Sequence, residues 1–141
     1  MNLVTDASVV AKWLFHEPDF LIARRVLEGW TAGSLDLLAP DILAAETAAC
    51  IWKRVVREGL TEQQALELYA RFCEYAPRLE PIAGLVEPAL KLANRHQHPV
   101  YDCLYVVLAL ETGADLLTAD ARLYRVFRPV TGSVRLLSDW N

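Results

Sequence analysis

Residues 98–124 read HPVYDCLYVVLALETGADLLTADARLY, and this stretch combines an apolar helix, an apolar strand and two carboxylates that no packing role explains. Apolar side chains surround the predicted helix, residues 101–112, on nearly every side, which is typical of a buried helix. Asp102 falls in its first turn, where the helix dipole favours a negative charge. Asp120 follows the predicted strand, residues 116–118, at the strand end where open α/β sheets bind ligands. Two acids directed at one place require a cation between them.

The rest of the chain alternates short apolar segments with helical patterns. We predict further strands at residues 2–5, 36–39, 79–82 and 133–137, and further helices at 9–15, 20–30, 41–58, 61–75, 85–95 and 121–127. Thr61 and Gln64 have the spacing of a capping box, and Pro81 confines the third strand to a sheet edge. Alternating strands and helices indicate a parallel sheet covered on both faces. We therefore expect residues 1–141 to form a single three-layer α/β/α domain.

The composition limits the class of protein. The chain has 141 residues, with 54% hydrophobic and 23% charged residues, which is typical of one globular domain. No apolar run is long enough to span a membrane, and the N-terminus lacks the basic region of a signal peptide, so we expect a cytoplasmic protein. The net charge of −4 does not exclude nucleic acid, because acids that hold a metal ion are neutralised by it.

The cysteines and histidines do not predict a zinc site. The three cysteines are widely spaced and lie inside helical patterns, which favours small buried hydrophobic residues in a reducing compartment. His96 and His98 lie two residues apart in a predicted loop, but no third nitrogen or sulfur ligand is near in sequence. We expect no zinc here.

Two further acids have positions that allow more than one interpretation. Asp6 follows the first strand, as Asp120 follows a later one, and it could equally be a simple cap or turn residue, with Ser8 as the cap of the next helix. Glu46 lies at the edge of an apolar helical stripe, where it needs a partner unless it is a surface residue whose stem only covers the rim. The predicted core-facing stripe consists of Ile42, Ala45, Ala49, Trp52 and Val56.

The acids together indicate a metal site. If the first and fourth strands are neighbours, Asp6, Asp102 and Asp120 meet in one crevice. Packed carboxylates repel one another unless an ion compensates them, and a set of oxygen ligands selects a hard cation, Mg²⁺ or Mn²⁺. Such sites orient water and stabilise charge on phosphate oxygens.

Three segments carry a resemblance to a known family. VTDASVVAKW, LAPDILAAETAACIWKRVVREGLT and HPVYDCLYVVLALETGADLLTAD are similar to the three characteristic blocks of the PIN domain, in the same order and over nearly the whole chain. More narrowly, the chain resembles the VapC-type ribonuclease toxins of bacterial and archaeal toxin–antitoxin pairs. The family fold is a parallel sheet of about five strands, and the activity that the resemblance implies is Mg²⁺- or Mn²⁺-dependent endonucleolytic cleavage of RNA.

The resemblance also implies roles for individual residues. The catalytic acids correspond to Asp6, Glu46, Asp102 and Asp120, with Ser8 and Thr118 lining the site. We expect the three aspartates to hold one or two ions, and Glu46 to bind through water or to help deprotonate the nucleophile. The family also implies a homodimer and a VapB-type antitoxin that inserts a peptide near the acids. The candidates for contact with the RNA backbone are five basic residues, Arg24, Arg25, Lys53, Arg54 and Arg57.

Two positions depart from the family pattern, and two alternative functions stay open. Ala49 stands where many relatives carry Asn, which could change the surroundings of Glu46, and Leu123 stands where relatives often carry an aromatic residue. A catalytically inactive PIN-like module that binds RNA or protein is one alternative. An aspartyl-phosphate phosphatase is another, but it needs a second Asp where this chain has Ser8.

Overall fold

Five short strands form one parallel sheet in the computed structural model, which describes residues 1–141. The strands are β1 (Asn2–Thr5), β2 (Asp36–Pro40), β3 (Arg78–Glu80), β4 (Asp115–Thr118) and β5 (Val134–Leu136). Their order is β3-β2-β1-β4-β5, and every neighbouring pair is parallel. The first and fourth strands are therefore neighbours at the centre of the sheet, and the strand that precedes Pro81 lies at an edge, as predicted.

Seven helices connect and cover the strands. They are α1 (Ala7–Leu14), α2 (Phe20–Thr31), α3 (Ile42–Glu58), α4 (Glu62–Tyr75), α5 (Val86–His96), α6 (Val100–Thr112) and α7 (Ala121–Thr131). The capping box of α4 is present, since Gln64 N donates to Thr61 Oγ1 at 3.0 Å and Thr61 N donates to Gln64 Oε1 at 2.9 Å. Helix α7 runs four residues beyond its predicted end: it continues through Pro129 and ends at Gly132, which has a φ of 70°.

Successive strand residues point into two separate hydrophobic cores. Val4, Leu38 and Leu116 pack on one face of the sheet around α6, where residues 103–109 are all buried. Their chain neighbours Leu3, Leu37 and Leu117 pack on the other face against α2. This alternation confirms the three-layer α/β/α fold and the buried helix at its centre.

Helix α3 turns a different face to the core from the one predicted. Its buried residues are Leu43, Thr47 and Ile51, whereas the side chains of Trp52 and Val56 are 63% and 64% exposed. The prediction was wrong because Thr47 interrupts the true apolar stripe, while the competing stripe ends in large apolar residues. We call the exposed face the α3 ridge, and it consists of Ala45, Ala49, Trp52 and Val56.

None of the seven helices is both long enough and apolar enough to cross a lipid bilayer.

Candidate active site

A cleft of about 370 Å³ opens where β1 and β4 end, with α1, α3 and α6 forming its other walls. Because the two strands are parallel neighbours, their carboxyl ends lie at the same edge of the sheet. The residues lining the cleft include all four predicted acids, Asp6, Glu46, Asp102 and Asp120. The fold therefore brings together carboxylates that are up to 114 residues apart in the sequence.

Asp6 is the most deeply buried of the four acids, and only 6% of the residue is exposed. Its side chain caps α1, since Oδ1 accepts hydrogen bonds from Ser8 N at 3.1 Å and Val9 N at 3.3 Å. The predicted cap, Ser8, instead lies inside the helix, which begins at Ala7. The interpretation of Asp6 as a cap and its interpretation as a site residue are compatible.

Two hydroxyl groups complete the surroundings of Asp6. Ser8 Oγ donates to Oδ1, and Thr118 Oγ1 donates to Oδ2. The same hydroxyls accept hydrogen bonds from Ala119 N at 2.9 Å and Asp120 N at 3.0 Å, so they link the end of β1 to the end of β4. Both carboxylate oxygens are therefore held in place by protein donors.

Burial raises the pKa of Asp6 from 3.8 to about 6. The hydrogen bonds from Ser8, Thr118 and Val9 oppose this rise, and the nearby charge of Asp102 adds to it. No Lys or Arg side chain forms a salt bridge with Asp6, so its negative charge is not compensated within the protein.

Asp120 has a similar double role at the end of β4. It caps α7, since its Oδ1 accepts hydrogen bonds from Arg122 N at 2.8 Å and Leu123 N at 3.2 Å. Its second oxygen, Oδ2, forms no hydrogen bond with the protein. The helix cap therefore fixes the side chain and leaves one oxygen available to the cleft.

Asp102 and Glu46 are held by side chains rather than by the backbone. Asp102 Oδ2 lies 2.8 Å from His98 Nε2. The hydroxyl of Tyr105, which is 1% exposed, donates to Glu46 Oε1 at 2.6 Å. Sequence reasoning missed both partners, although both are close to Asp102 in the sequence. His98 stands four residues before it, just ahead of α6, and Tyr105 stands three residues after it, on the same side of the helix.

The contact with Tyr105 provides the partner that a partly buried glutamate needs. Burial raises the pKa of Glu46, the Tyr105 hydrogen bond lowers it in part, and the charge of Asp102 raises it further. Burial and the adjacent Glu46 carboxylate both raise the pKa of Tyr105, so its hydroxyl keeps its proton and remains a donor. Glu46 is therefore partly buried and paired, as the first of its two interpretations required.

The donor set of the cleft fits a hard divalent cation. The four acids offer carboxylate oxygens, and none of them forms a salt bridge with Lys or Arg, whereas the fifth carboxylate of the lining, Glu17, is paired with Lys12 and Arg54. No three acidic side chains lie close enough to ligate one ion in their present rotamers. Joint coordination therefore requires a side chain to rotate, and Asp102 and Asp120 each have one oxygen without a protein donor.

The predicted RNA-contact residues divide into three groups. Arg54 and Arg57 line a polar groove of about 430 Å³ that shares Lys12 and Glu17 with the acidic cleft. Arg24 lines a separate depression beside α1. Arg25 and Lys53 are exposed and line neither space. Sequence reasoning also missed Lys12, which forms a salt bridge with Glu17 at 3.7 Å between the cleft and the groove.

A family model described as the PIN domain matches residues 3–128, a span that contains the whole cleft and all four acids. The chain therefore belongs to the PIN-domain family, as the three sequence blocks predicted.

Named relatives define the branch of that family. Ribonuclease VapC3 of Pyrobaculum aerophilum is 33% identical over 129 residues, which cover 90% of this chain and 95% of the relative. The structure of Mycobacterium tuberculosis VapC20, a sarcin-ricin loop cleaving toxin, matches with a TM-score of 0.67 at 17% identity, over 89% of this chain and 95% of that one. A toxin–antitoxin complex from Klebsiella pneumoniae matches with a TM-score of 0.66 at 16% identity, over 96% and 97%.

The two solved structures support the fold, and the sequence relative adds the activity class. The protein is a VapC-type PIN-domain ribonuclease. Ribonucleases of this family are metal-dependent.

Proposed function

We propose that the protein is a toxin endoribonuclease that uses Mg²⁺ or Mn²⁺ held by Asp6, Asp102 and Asp120. One observation carries the assignment: four of the five carboxylates that line the cleft, Asp6, Glu46, Asp102 and Asp120, are not neutralised by a Lys or Arg side chain. Burying uncompensated charge is costly, so an arrangement of this kind is expected only where a cation is bound.

The protein's own residues divide the work of hydrolysis. When bound, a divalent ion activates water and stabilises charge on the phosphate oxygens. Asp6 stays fixed by its hydroxyl and backbone donors, and its pKa of about 6 leaves it mostly ionised at neutral pH, so that it would hold the ion as a carboxylate. Glu46 accepts a proton from the attacking water at Oε2, because Oε1 is engaged by Tyr105. Asp120 contributes Oδ2, the oxygen that does not cap α7.

The polar groove supports an RNA path that leaves the acidic cleft past Lys12. Arg57 is the strongest candidate for a phosphate contact, because it is exposed in the groove and forms no salt bridge. Arg54 is a weaker candidate, since Glu17 at 2.9 Å and Glu58 at 2.7 Å already engage it.

Substitution Arg57→Gln should weaken RNA binding and reduce the salt dependence by about one phosphate contact. Arg25→Gln, outside both spaces, is the matched control and should bind as the wild type does.

We also propose that a VapB-type antitoxin covers the α3 ridge. The ridge exposes Trp52 and Val56, one turn apart, on the same helix that carries Glu46. Adjacent large apolar side chains that are exposed to solvent are typical of an interaction site. Substitution Trp52→Ser should weaken capture of the co-expressed antitoxin while leaving cleavage by the isolated ribonuclease unchanged. Wild-type affinity of this variant would exclude the ridge.

A homodimer is the second proposed assembly. Helix α5 exposes Val86 (45%) and Leu90 (61%), which lie one turn apart on the same side of the helix, and this favours contact with a second copy through α5. Sedimentation velocity of the wild type and of Leu90→Asp tests it. A monomeric wild type at micromolar concentration would contradict the proposal.

The test of the function is cleavage of end-labelled structured RNAs with EDTA, Mg²⁺ or Mn²⁺. We expect cutting only with metal, and loss of cutting in Asp102→Asn. The control is Asp139→Asn, an exposed acid that does not line the cleft. Metal-independent cutting, or full activity in Asp102→Asn, would contradict the assignment. Tight RNA binding without cutting in either metal would instead support the non-catalytic binding module.

A further inference from the structure

His98 is held rigidly beside the site by its backbone and by its ring. Gln97 ends α5 in the left-handed conformation, with a φ of 53°, and His98 N then donates to Ala93 O at 3.2 Å. The His98 side chain is only 1% exposed. Its ring packs edge-on against Phe127, with centroids 5.3 Å apart and an interplanar angle of 86°. The imidazole therefore has little freedom to leave the position that it occupies.

The orientation of the ring determines what it gives to Asp102. Nε2 lies 2.8 Å from Asp102 Oδ2, whereas Nδ1 is buried and has no hydrogen-bond partner. A neutral ring with its proton on Nε2 donates to the carboxylate and leaves only a lone pair at Nδ1. A proton on Nδ1 would instead be a buried donor without an acceptor, which is costly. The surroundings therefore favour the neutral tautomer in which Nε2 is the donor.

This single donor has a geometric consequence for Asp102. Because Oδ2 is engaged by His98, the other oxygen, Oδ1, has no protein partner, and the Asp102 side chain remains 30% exposed along the cleft. Hydrogen bonds to ligating carboxylates fix the orientation of the ligand, and their loss typically weakens metal affinity or activity about 10- to 100-fold.

We infer that His98 is a positioning residue, which holds Asp102 through Nε2–H so that Oδ1 is presented to the metal ion. The inference rests on the proposed function, in which Asp102 is a metal ligand. His98 itself is not a ligand in this assignment, because its only nitrogen directed at the site is already bonded to Asp102.

The chain offers a matched control on the same aromatic ring. His96 also packs edge-on against Phe127, with centroids 5.5 Å apart and an angle of 70°, but it contacts no carboxylate. Substitution of either histidine therefore removes an edge-on contact with Phe127, and His98 is the more deeply buried of the two. Only the substitution of His98 removes the donor to Asp102.

The experiment measures Mn²⁺ binding by calorimetry without RNA, together with the Mn²⁺ concentration that gives half-maximal cleavage. His98→Leu should weaken Mn²⁺ binding about 10- to 100-fold and raise that concentration by a similar factor. His98→Gln should restore binding to within about threefold, because its amide nitrogen reaches the position of Nε2. His96→Leu should bind as the wild type does. Melting temperatures in EDTA report the loss of packing separately.

The outcomes separate this inference from the proposed function. Wild-type Mn²⁺ binding by His98→Leu, in the presence of a clear loss in Asp102→Asn, would overturn the role of His98 and leave the function standing. Wild-type binding by Asp102→Asn would overturn the metal site itself. If His98→Leu does not fold, His98→Asn replaces it, since its shorter amide does not reach Asp102, and unchanged Mn²⁺ binding by folded His98→Asn would contradict the inference.

Discussion

The two strand-end aspartates and the two helix acids are held in different ways. Asp6 and Asp120 cap the helices that follow them, so backbone N–H groups two and three residues along the chain fix their carboxylates. Asp102 and Glu46 depend on one side chain each, His98 and Tyr105. Asp6 and Asp120 therefore have two roles, as site carboxylates and as helix caps. Asp102 and Glu46 can lose their side-chain donors without any change in a helix cap.

The largest expected effect comes from removing the negative charge of Asp6, which tests its role as a site carboxylate. Asp6→Asn should reduce cleavage by about 10³-fold or more, because the charge stabilisation by the ion is worth several kcal/mol. The fold should persist, since an amide oxygen can still accept the hydrogen bonds from Ser8 N and Val9 N. Single-turnover cleavage and circular dichroism of the same preparation measure the two effects. Full activity in metal-treated Asp6→Asn would remove this residue from the site.

The pH dependence of stability tests the burial of Asp6 in the folded protein. The folded pKa of Asp6, about 6, lies above its ordinary value of 3.8, so the folded protein retains a proton between these values that the unfolded chain has lost. This stabilisation is present below about pH 4 and is lost as the pH rises through 6. In EDTA, the free energy of unfolding of the wild type, measured relative to that of Asp6→Asn, should therefore fall by up to about 3 kcal/mol as the pH rises from about 4 to above 6.

Urea unfolding of both proteins at pH 4, 5, 6 and 7 makes this measurement, because the difference between them cancels the other titrating groups. A constant difference across this range would contradict the raised pKa of Asp6.

Tyr105→Phe tests the helix pair. Loss of the hydroxyl donor should reduce the cleavage rate about tenfold, which is typical of the loss of a positioning contact. It should also move the acid limb of the pH–rate profile to higher pH, because the Tyr105 hydrogen bond lowers the pKa of Glu46. A stability cost of about 1–3 kcal/mol is expected from the buried bond to a charged group. Glu46→Gln should abolish the shifted limb. An unshifted profile in Tyr105→Phe would mean that Glu46 does not titrate in the reaction.

The smallest effect separates the two roles of Asp120. Asp120→Asn and Asp120→Ala should both lose activity, but only Asp120→Ala should also lose about 1 kcal/mol of stability, because Asn remains a good helix cap. Thermal unfolding in EDTA compares the two variants. Equal stability would show that the cap of α7 contributes little, and the contrast between strand-end and helix acids would then rest on Asp6 alone.

The strands, the buried helix and the placement of Asp6, Asp102 and Asp120 in one cleft were accessible from local patterns. Strand-end residues such as Asp6 and Asp120 are predictable, because parallel strands place their carboxyl ends at one edge and the capping partners are close in sequence. The family blocks identified Glu46, whose position on α3 alone left its role open.

The parts that were not predictable depend on contacts between distant residues. The core-facing side of α3 was mispredicted, because the burial of polar Thr47 follows from tertiary packing and not from helical periodicity. The donor to Glu46 lies 59 residues away, at Tyr105, and no local pattern connects them. His98 had a local signal, its spacing from Asp102, but a predicted loop at that position concealed it.

The alternation of strand residues between two cores also limits how this enzyme can change. In β1, Leu3 and Val4 belong to opposite cores, and Asp6 follows two residues later. Inserting or deleting one residue there would exchange the two apolar sets and move the carboxylate by about 3.3 Å along the strand. An error in the position of the acid would thus coincide with disruption of both cores, so we expect such a change to give a misfolded chain rather than a folded ribonuclease with a misplaced acid.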